Sequence, residues 1–374
     1  MNRKWIRAAL AFMIAFYMIY MTIAAKGAPQ ILTNASAMAV IECGTGQLLM
    51  SDNADERLPM ASTTKIMTAL VVLESCQVTE DVDIPDEAVG VEGSSVYLCR
   101  GEHMTVRDLL YGLMLASGND AAVALAVHAG GSVEGFVSMM NRKAEDLGLE
   151  KTHFVTPNGL HDDGHYTTAY ELCLIAREAL LLPEFREIVS AKYYTASSGD
   201  KIRTFKNKNS LLWSYDGAFG VKTGYTSAAG RCLVFGAERD GMTVVGAVLN
   251  CRPMFETAAK LLDRAFLDYG VETIIPENTS VGKVFVENSP EKLLEVLTKD
   301  SIIAVMQKPS DASFKTEIEI YAPLRAPVSK GETVGILKVY GSDSLIGETE
   351  LIAAHDMKEK DLRYWWETLI RLFA

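Results

Sequence analysis

Apolar and polar positions follow different periods along this chain, and the periods predict both helices and strands in its larger part. The nine residues Lys65–Leu73 are almost all apolar and predict a buried helix, and the runs 106–116 and 121–129 predict two more helices. Two further apolar runs, 231–237 and 242–249, flank a short polar turn and predict neighbouring antiparallel strands. We therefore expect an α+β arrangement in which helices flank an antiparallel sheet.

After Gly270 the pattern changes to short strand-like runs, several of them separated by proline or glycine. Alternation is cleanest in Lys315–Tyr321, which predicts a strand with one buried face. The strand-like runs are 280–286, 301–306, 315–321, 333–340 and 344–352. We predict a small β-rich domain over residues 271–356 that holds no catalytic constellation, after a catalytic domain over residues 30–270.

The N-terminus has the pattern of an export signal. Arg3, Lys4 and Arg7 precede an uncharged, mostly apolar run from Ala8 to Ala25, and small residues follow it. The run is also just long enough to span a membrane as an uncleaved anchor. We favour a cleaved signal peptide over residues 1–28; in either case the positive flank stays inside and the rest is exported.

The last segment, residues 357–374, carries an apolar stripe at helical spacing with basic residues largely off it. The stripe consists of Leu362, Trp365, Trp366, Leu369, Ile370 and Phe373. Adjacent tryptophans near lysine and arginine are typical of a membrane interface. We expect an amphipathic helix that binds the outer face of the cytoplasmic membrane; the alternative is a terminal helix docked on the β-rich domain.

Composition narrows the choice of partners. The chain has 374 residues, of which 49% are hydrophobic, so one large domain and a smaller one can each bury a core. Its formal net charge of −12 argues against nucleic acid as a partner.

Three short motifs carry the chemistry of the larger domain. In chain order they are Ser62-Thr63-Thr64-Lys65, Ser117-Gly118-Asn119 and Lys222-Thr223-Gly224, separated by about 50 and about 100 residues. Each motif alone is weak, since each also fits an ordinary helix or turn. Together, in this order, they form the signature of serine acyltransferases that penicillin-binding proteins share with class A β-lactamases.

Physical chemistry explains why the first motif needs these residue types. A serine hydroxyl is a poor nucleophile until a neighbouring base takes its proton. Ser62 and Lys65 are three residues apart, so on a helix they share one face. Burial and a nearby cation would lower the pKa of Lys65 and allow it to act as that base, and Lys222 is the candidate cation.

The other two motifs provide polar groups in apolar surroundings. Ser117 can relay a proton, and the Asn119 amide can orient Lys65 and hold a substrate amide. The third motif precedes a predicted strand, so it lies at an expected sheet edge where an extended peptide can pair with the strand. There Lys222 and Thr223 would take a substrate carboxylate, and Gly224 would let the backbone come close.

The chain resembles the D-alanyl-D-alanine carboxypeptidases, which are low-molecular-weight penicillin-binding proteins. The resemblance extends beyond the three motifs, from about residue 32 to about residue 355. It includes the segments 56–70, 116–122, 140–148, 152–160 and 221–226. The resemblance implies a β-lactamase-like catalytic domain followed by a β-rich domain.

The resemblance also implies a role for each motif residue. Ser62 would be the acylated nucleophile, Lys65 its base and Ser117 the proton shuttle, with Asn119 positioning the substrate. Lys222 and Thr223 would bind the terminal carboxylate of a peptidoglycan stem peptide. The backbone N–H groups of Ser62 and Tyr225 would form the oxyanion hole. Tyr225 stands where some relatives have histidine, so we expect an altered substrate preference rather than lost activity.

One absence separates this chain from class A β-lactamases. Those enzymes carry a Glu-x-x-Leu-Asn-like segment whose acid activates the deacylating water. The nearest segment here, Tyr170-Glu171-Leu172-Cys173, lacks the asparagine, and we expect Glu171 to be an ordinary helix residue. We therefore expect an enzyme that β-lactams acylate and inhibit. The alternatives are a β-lactamase or esterase of the same fold, and a non-catalytic exported scaffold that binds the wall.

The cysteines lack the spacing of a metal site, whereas the spacing of one histidine cluster leaves a metal site as the less favoured alternative. No two of the six cysteines stand as Cys-x-x-Cys, and Cys173 and Cys232 lie in apolar runs that favour buried thiols. His153, His161 and His165 cluster around Asp162 and Asp163, in a stretch that borders the active site in the family. His128 lies on an apolar helix and is most simply a core or partly exposed side chain. We expect no metal and no cofactor.

Overall fold

The computed structural model describes residues 33–308, 313–321, 323–341, 344–362, 364–366 and 370, which form two compact units that divide after Leu267. The expected signal peptide, residues 1–28, lies outside these residues. Part of the expected C-terminal helix also lies outside them, since 357–362, 364–366 and 370 are the residues of 357–374 that are described. Both therefore stay predictions.

The first unit is built on a five-stranded antiparallel sheet with the order β2-β1-β9-β8-β7. These strands are β1 Ala37–Glu42, β2 Leu48–Asp52, β7 Ala218–Thr226, β8 Gly230–Arg239 and β9 Met242–Leu249. The two strands predicted from the sequence are the last two, and the third motif lies within β7. Because β7 has a neighbour on one side only, the predicted sheet edge is confirmed.

Helices cover the sheet and form the rest of this unit. They are α1 Lys65–Ser75, α2 Val106–Tyr111, α3 Asn119–Gly130, α4 Val133–Asp146, α5 Ala169–Leu180, α6 Pro183–Ser190, α7 Leu211–Ser214 and α8 Met254–Asp268. α5 packs against β1 and β9 and also against α1, while α6 packs against β7. All three predicted helices are present: α1, α3, and α2 with the π-helical turn Gly112–Ala116 that continues it.

Local chemistry explains where several helices begin. The side chains of Thr105, Ser132 and Thr168 accept the hydrogen bond of a backbone N–H three residues ahead, at the starts of α2, α4 and α5. Pro183 occupies the first turn of α6, where its missing N–H costs nothing. Two small two-stranded sheets complete the unit: β3 Asp81–Asp83 with β4 His103–Thr105, and β5 Tyr193–Ser198 with β6 Lys201–Lys206.

The second unit is rich in strands, as the sequence predicts. A six-stranded sheet has the order β14-β16-β17-β12-β11-β15, and β10 pairs with β13 in a separate two-stranded sheet. The strands are β10 Tyr269–Ile275, β11 Ser280–Glu287, β12 Leu293–Thr298, β13 Ile302–Gln307, β14 Phe314–Ile320, β15 Leu324–Arg325, β16 Thr333–Gly341 and β17 Ser344–Ala353.

One prediction about this unit holds for only part of the strand. The clean alternation of Lys315–Tyr321 predicts a strand with a buried face, and the strand exists as β14. β14 is an edge strand paired only with β16, and its apolar Ile318 is 48% exposed. Phe314 and Ile320, on the same face, are partly buried and pack against the core of this unit. The face is therefore partly buried at the ends of the strand and exposed at its centre.

Within the described residues, no single helix is both long enough and apolar enough to cross a membrane. The pair α3 and α4, bent by 83°, meets that test only when the two are taken together.

Candidate active site

The first motif forms a tight turn that leads directly into α1. Ala61–Thr64 is a 3-10 turn, and α1 begins at Lys65, so Ser62 and Lys65 share one face as expected. The Ser62 side chain is partly exposed, whereas Lys65 is fully buried. Lys65 Nζ lies 3.1 Å from Ser62 Oγ. A partly exposed hydroxyl is thus paired with a fully buried amine.

Lys65 Nζ is held in place by two further oxygens. It donates to Asn119 Oδ1 at 2.7 Å and to the backbone carbonyl of Asn158 at 2.5 Å. Burial lowers the pKa of Lys65 well below its usual value, and the charge of Lys222 lowers it further. These are the two causes expected from the sequence. An amine with a lowered pKa can accept a proton from Ser62 near neutral pH.

The second motif links two buried helical segments. Ser117 follows the π-helical turn with a left-handed backbone (φ 65°), which is uncommon for a residue other than glycine, and Asn119 begins α3. Asn119 Nδ2 donates to the carbonyl of Glu92 at 2.6 Å. Asn119 therefore orients Lys65 with one end of its amide while its other end contacts the loop before β4. A substrate amide would have to share or replace that second contact.

The third motif brings a second buried lysine to the site. Lys222 lies on β7 with 1% of its surface exposed, and its Nζ donates to Ser117 Oγ at 3.1 Å. Burial, assisted by the charge of Lys208, lowers the pKa of Lys222 to about 7. Lys222, on β7, therefore contacts Ser117, whereas Lys65, at the start of α1, contacts Ser62. A positive charge on Lys222 disfavours a positive charge on Lys65.

Gly224 and Tyr225 lie where β7 meets the 3-10 turn Ala61–Thr64, which is called the nucleophile turn below. A Cβ added at Gly224 would lie 3.1 Å from the backbone nitrogen of Ser62, so the strand comes close to Ser62 because this residue has no side chain. Thr223 is partly exposed and Tyr225 is 57% exposed. The N–H groups of Ser62 and Tyr225, which the sequence assigns to an oxyanion hole, belong to this junction.

A loop after α4 supplies contacts that sequence reasoning missed. Asn158 provides the carbonyl that binds Lys65, and Gly159 (φ 82°) lies so close to Ala61 that an added Cβ would be 2.1 Å from its carbonyl oxygen. The one available signal was Pro157-Asn158-Gly159, a turn-forming run within the family segment. Its contact with the nucleophile turn depends on tertiary packing.

His165 is a second group that the sequence did not single out for this role. Its Nδ1 accepts from the backbone N–H of Val155, so Nε2 carries the proton and donates to Thr64 Oγ1 at 2.7 Å. Burial lowers the pKa of His165 to about 4, which keeps the ring neutral. Thr64 stands between Ser62 and Lys65, so this hydrogen bond anchors the nucleophile turn to the loop that carries His165.

The other histidines of that cluster make separate contacts. His153 Nδ1 is bonded to the carbonyl of Gly164, and His161 lies 3.6 Å from Asp163. Glu171 lies in α5, as expected, and its buried carboxylate accepts hydrogen bonds from Lys151 and Thr152. This acid therefore fixes the loop that carries Lys151 and Thr152.

Two of the cysteines, Cys173 and Cys232, are buried as the sequence predicts. All six lie within the described residues and are free, and Cys173 and Cys232 are fully buried. Neither contributes to the arrangement of serines and lysines.

Comparisons with known proteins agree with this arrangement. The profile of the family described as D-alanyl-D-alanine carboxypeptidase matches residues 23–252. The profile described as the C-terminal domain of penicillin-binding protein 5 matches residues 269–359. The two matches together cover both units of the chain.

Individual relatives show the same similarity. D-alanyl-D-alanine carboxypeptidase DacF of Bacillus subtilis is 35% identical over 344 residues, covering 89% of this chain and 88% of that protein. The D-alanyl-D-alanine carboxypeptidase of Streptomyces sp. K15 is 43% identical over 224 residues, covering 55% and 77%. The solved structure of penicillin-binding protein 5 from Haemophilus influenzae has a TM-score of 0.73 at 28% identity, covering 89% and 100%. The α+β fold with a β-rich second domain, expected from the sequence, is confirmed.

Proposed function

Because the chain belongs to the D-alanyl-D-alanine carboxypeptidase family of serine peptidases, we propose that it removes the terminal D-alanine of peptidoglycan stem pentapeptides through an acyl-enzyme on Ser62. One observation carries the assignment of the nucleophile: Lys65, buried and with a lowered pKa, holds its Nζ 3.1 Å from Ser62 Oγ. No other residue has to move for the proton to transfer.

Acylation begins when Ser62 Oγ attacks the carbonyl between the two terminal D-alanines. Neutral Lys65 takes the hydroxyl proton as the bond forms, and the junction of β7 with the nucleophile turn supplies N–H groups for the oxyanion. The close approach at Gly224 supports this placement, since both N–H groups belong to that junction. The carbon–nitrogen bond then breaks and D-alanine leaves.

The leaving group needs a proton and a partner for its carboxylate. Ser117 Oγ lies 3.1 Å from Lys222 Nζ and is the group we assign to relay to the leaving amine the proton that Lys65 took from Ser62. Lys222 and Thr223 bind the carboxylate, and Asn119 positions the substrate amide while it holds Lys65. A carboxylate arriving beside Lys222 raises the pKa of that amine, so binding of substrate increases its positive charge.

Water then hydrolyses the acyl-enzyme. β-Lactams mimic the substrate carbonyl and acylate the same serine, and we propose that hydrolysis of this adduct is slow. Glu171, the acid nearest in sequence to the one used by class A β-lactamases, is engaged with Lys151 and Thr152, which supports slow hydrolysis.

The deciding experiment is intact-protein mass spectrometry of the signal-cleaved protein incubated with a penicillin over hours. The expected result is one persistent adduct per chain that is lost in Ser62→Ala, together with D-alanine release from a stem pentapeptide. The control is Ser138→Ala, because Ser138 is exposed on α4 and bonds only to its own helix backbone.

Each other outcome points to a different function. A persistent adduct in Ser62→Ala refutes the assignment of the nucleophile. Hydrolysed drug without an adduct indicates a β-lactamase or esterase of the same fold. Intact drug without an adduct, with no D-alanine released, indicates a wall-binding scaffold.

We further propose that the exported protein attaches to the outer face of the cytoplasmic membrane through residues 357–374. Leu362, Trp365, Trp366 and Ile370 belong to the apolar stripe, and each is more than half exposed, which supports a surface able to enter a bilayer interface. Deleting 357–374 from the signal-cleaved protein should move it from the membrane fraction to the soluble fraction. Trp213→Ala, which removes an exposed tryptophan elsewhere, is the control and should not. Membrane retention of the deleted form would contradict the attachment.

A further inference from the structure

Three side chains of metal-binding type lie close together in the first unit, away from the serines and lysines described above. Cys76, Glu80 and His128 each offer one ligand atom, and these atoms all lie within 4.8 Å of one another. A thiol, a carboxylate and an imidazole are the donors that zinc prefers in proteins. The proposed mechanism uses none of the three.

The three residues are held by separate parts of the fold. Cys76 is the C-terminal cap of α1, and His128 lies in the last turn of α3. Glu80 lies in a turn closed by its own backbone N–H to the carbonyl of Gln77, and its Oε1 accepts from the N–H of Gln77 at 2.6 Å. The cluster is therefore fixed by two helix ends and a closed turn.

The distance between two members of the cluster is close to the distance that a zinc ion requires between its ligands. His128 Nε2 lies 3.0 Å from Glu80 Oε2, and a proton occupies the space between them. A tetrahedral zinc with bonds of about 2.0–2.1 Å to nitrogen and oxygen separates two such ligands by about 3.3 Å, so this pair needs to open only slightly. The Cys76 thiol has no hydrogen-bond partner among the described residues.

We propose that Cys76, Glu80 and His128 bind a Zn²⁺ ion, with water as the fourth ligand. Binding displaces the proton between His128 Nε2 and Glu80 Oε2, which passes through solvent to Nδ1 of the same ring, and it releases the thiol proton of Cys76 to solvent as the zinc–sulfur bond forms. The imidazole binds through Nε2 as the neutral ring with its proton on Nδ1. No electron transfer is involved.

The position of the site gives it a structural consequence. α1 begins at Lys65 and α3 begins at Asn119, and these two residues meet through the bond between Nζ and Oδ1. Cys76 and His128 stand at the opposite ends of the same two helices. A zinc ion would tie those far ends together, so we expect it to stabilise the helix pair rather than to take part in the reaction.

The test starts from metal-free, signal-cleaved protein kept under reducing conditions. Zinc is titrated by calorimetry, and Co²⁺ is added separately as a spectroscopic probe. We expect one zinc per chain, a cobalt–thiolate charge-transfer band, and a zinc affinity reduced about 100-fold or more in Cys76→Ser and in His128→Ala. Cys99→Ser and His103→Ala are the controls, because both residues are exposed and lie outside the cluster.

Unfolding provides an independent readout. Zinc should raise the midpoint of thermal unfolding of the wild type and of the control variants, and should not raise it in Cys76→Ser. The proposal is overturned if zinc does not bind, if stoichiometric binding survives both ligand substitutions, or if the cobalt band remains without Cys76. The cleavage of stem peptides is measured in parallel and should be unchanged in Cys76→Ser, so failure of the zinc site leaves the proposed function untouched.

Discussion

Two buried lysines lie in one site, and their pKa values determine which of them carries a positive charge. Lys65 is fully buried, and burial together with the charge of Lys222 lowers its pKa well below the usual value. Lys222 has a pKa of about 7, so near neutral pH it is partly charged. The arrangement lets Lys65 serve as a base while Lys222 provides the positive charge.

Replacing Lys222 by methionine should separate its catalytic effect from its effect on stability. We expect acylation by penicillin to slow by about 100-fold, because one charged donor is lost. Below pH 7, where Lys222 is charged, the acid limb of the acylation profile should move to higher pH, because the pKa of Lys65 rises. Stopped-flow measurement of acylation against pH checks both.

The same substitution should stabilise the fold. Between about pH 7 and pH 10.5, this lysine binds fewer protons in the native state than in the unfolded state, because its folded pKa is lowered. The free energy of unfolding therefore falls as the pH falls through this window, and the full cost of burying the charged amine is present below it. Lys222→Met should therefore raise the free energy of unfolding at pH 6 by about 1–3 kcal/mol. Denaturant unfolding measures it, and a destabilised variant would contradict the charge assignment.

His165 sets a second expectation at this scale. Its folded pKa of about 4 lies below its ordinary value of 6.5, so the unfolded state binds more protons between these values and stability falls as pH drops through them. The contribution from this one group between pH 7.5 and pH 4.5 is roughly 2 kcal/mol. His165→Leu should remove that slope from denaturant unfolding curves.

His165→Leu should also lower kcat by about 10- to 100-fold, because Thr64 loses the donor that anchors the nucleophile turn. His165→Gln retains a donor at the same reach and should recover part of this loss. Equal kcat in all three proteins would show that the bond is not needed for positioning.

The sequence predicted the residues whose roles follow from chemistry and spacing. Ser62, Lys65, Ser117 and Lys222 belong to motifs whose order is informative, and the structure brings all four together. Asn158, Gly159 and His165 were not predicted, because their contacts arise only when a distant loop folds over the nucleophile turn. Local patterns do not encode such contacts.

At the scale of elements, the site depends on how one edge strand meets one turn. β7 approaches Ala61–Thr64 so closely at Gly224 that an added Cβ would lie 3.1 Å from Met60 O and from Ser62 N. Helices and strands with strong periodicity were predicted correctly. β12 was not predicted, and the exposure of Ile318 at the centre of β14 was not foreseen, because pairing and covering layers are decided by the whole sheet.

Gly224→Ala should push β7 away from the nucleophile turn and slow acylation by about 100-fold in protein that is still folded. Gly236→Ala is the matched control: its Cβ would lie 2.3 Å from the Phe219 ring, inside the sheet and away from Ser62. The control should lose thermal stability but acylate normally per folded molecule. Stopped-flow acylation and thermal unfolding distinguish the two, and normal acylation in Gly224→Ala would refute the role given to this junction.

At the scale of the molecule, the two units have separate cores. One core is formed by residues between Ala37 and Leu249, and another by residues between Val286 and Met357. A change in composition after Gly270 was visible in the sequence. The membrane signals at the two ends were also visible, but they stay predictions because most of those residues lie outside the described ranges.

A chain that ends after Leu267 should therefore fold and react with penicillin at a rate within about threefold of the full protein. All residues of the proposed mechanism lie in the first unit, whose core needs nothing from the second. Circular dichroism and the acylation rate measure the outcome. An unfolded or unreactive fragment would show that the catalytic unit depends on its neighbour.

The half-charged state of Lys222 gives the enzyme a built-in response to the acidity of its surroundings. If a substrate carboxylate is to be held by this amine, the amine must first be fully protonated, so each docking event draws part of a proton from the medium. We therefore expect affinity for carboxylate-bearing peptides to weaken as the medium becomes alkaline, because a smaller fraction of Lys222 is protonated before the peptide binds. Cleavage of such peptides should then decline on the alkaline side of neutrality through weaker binding.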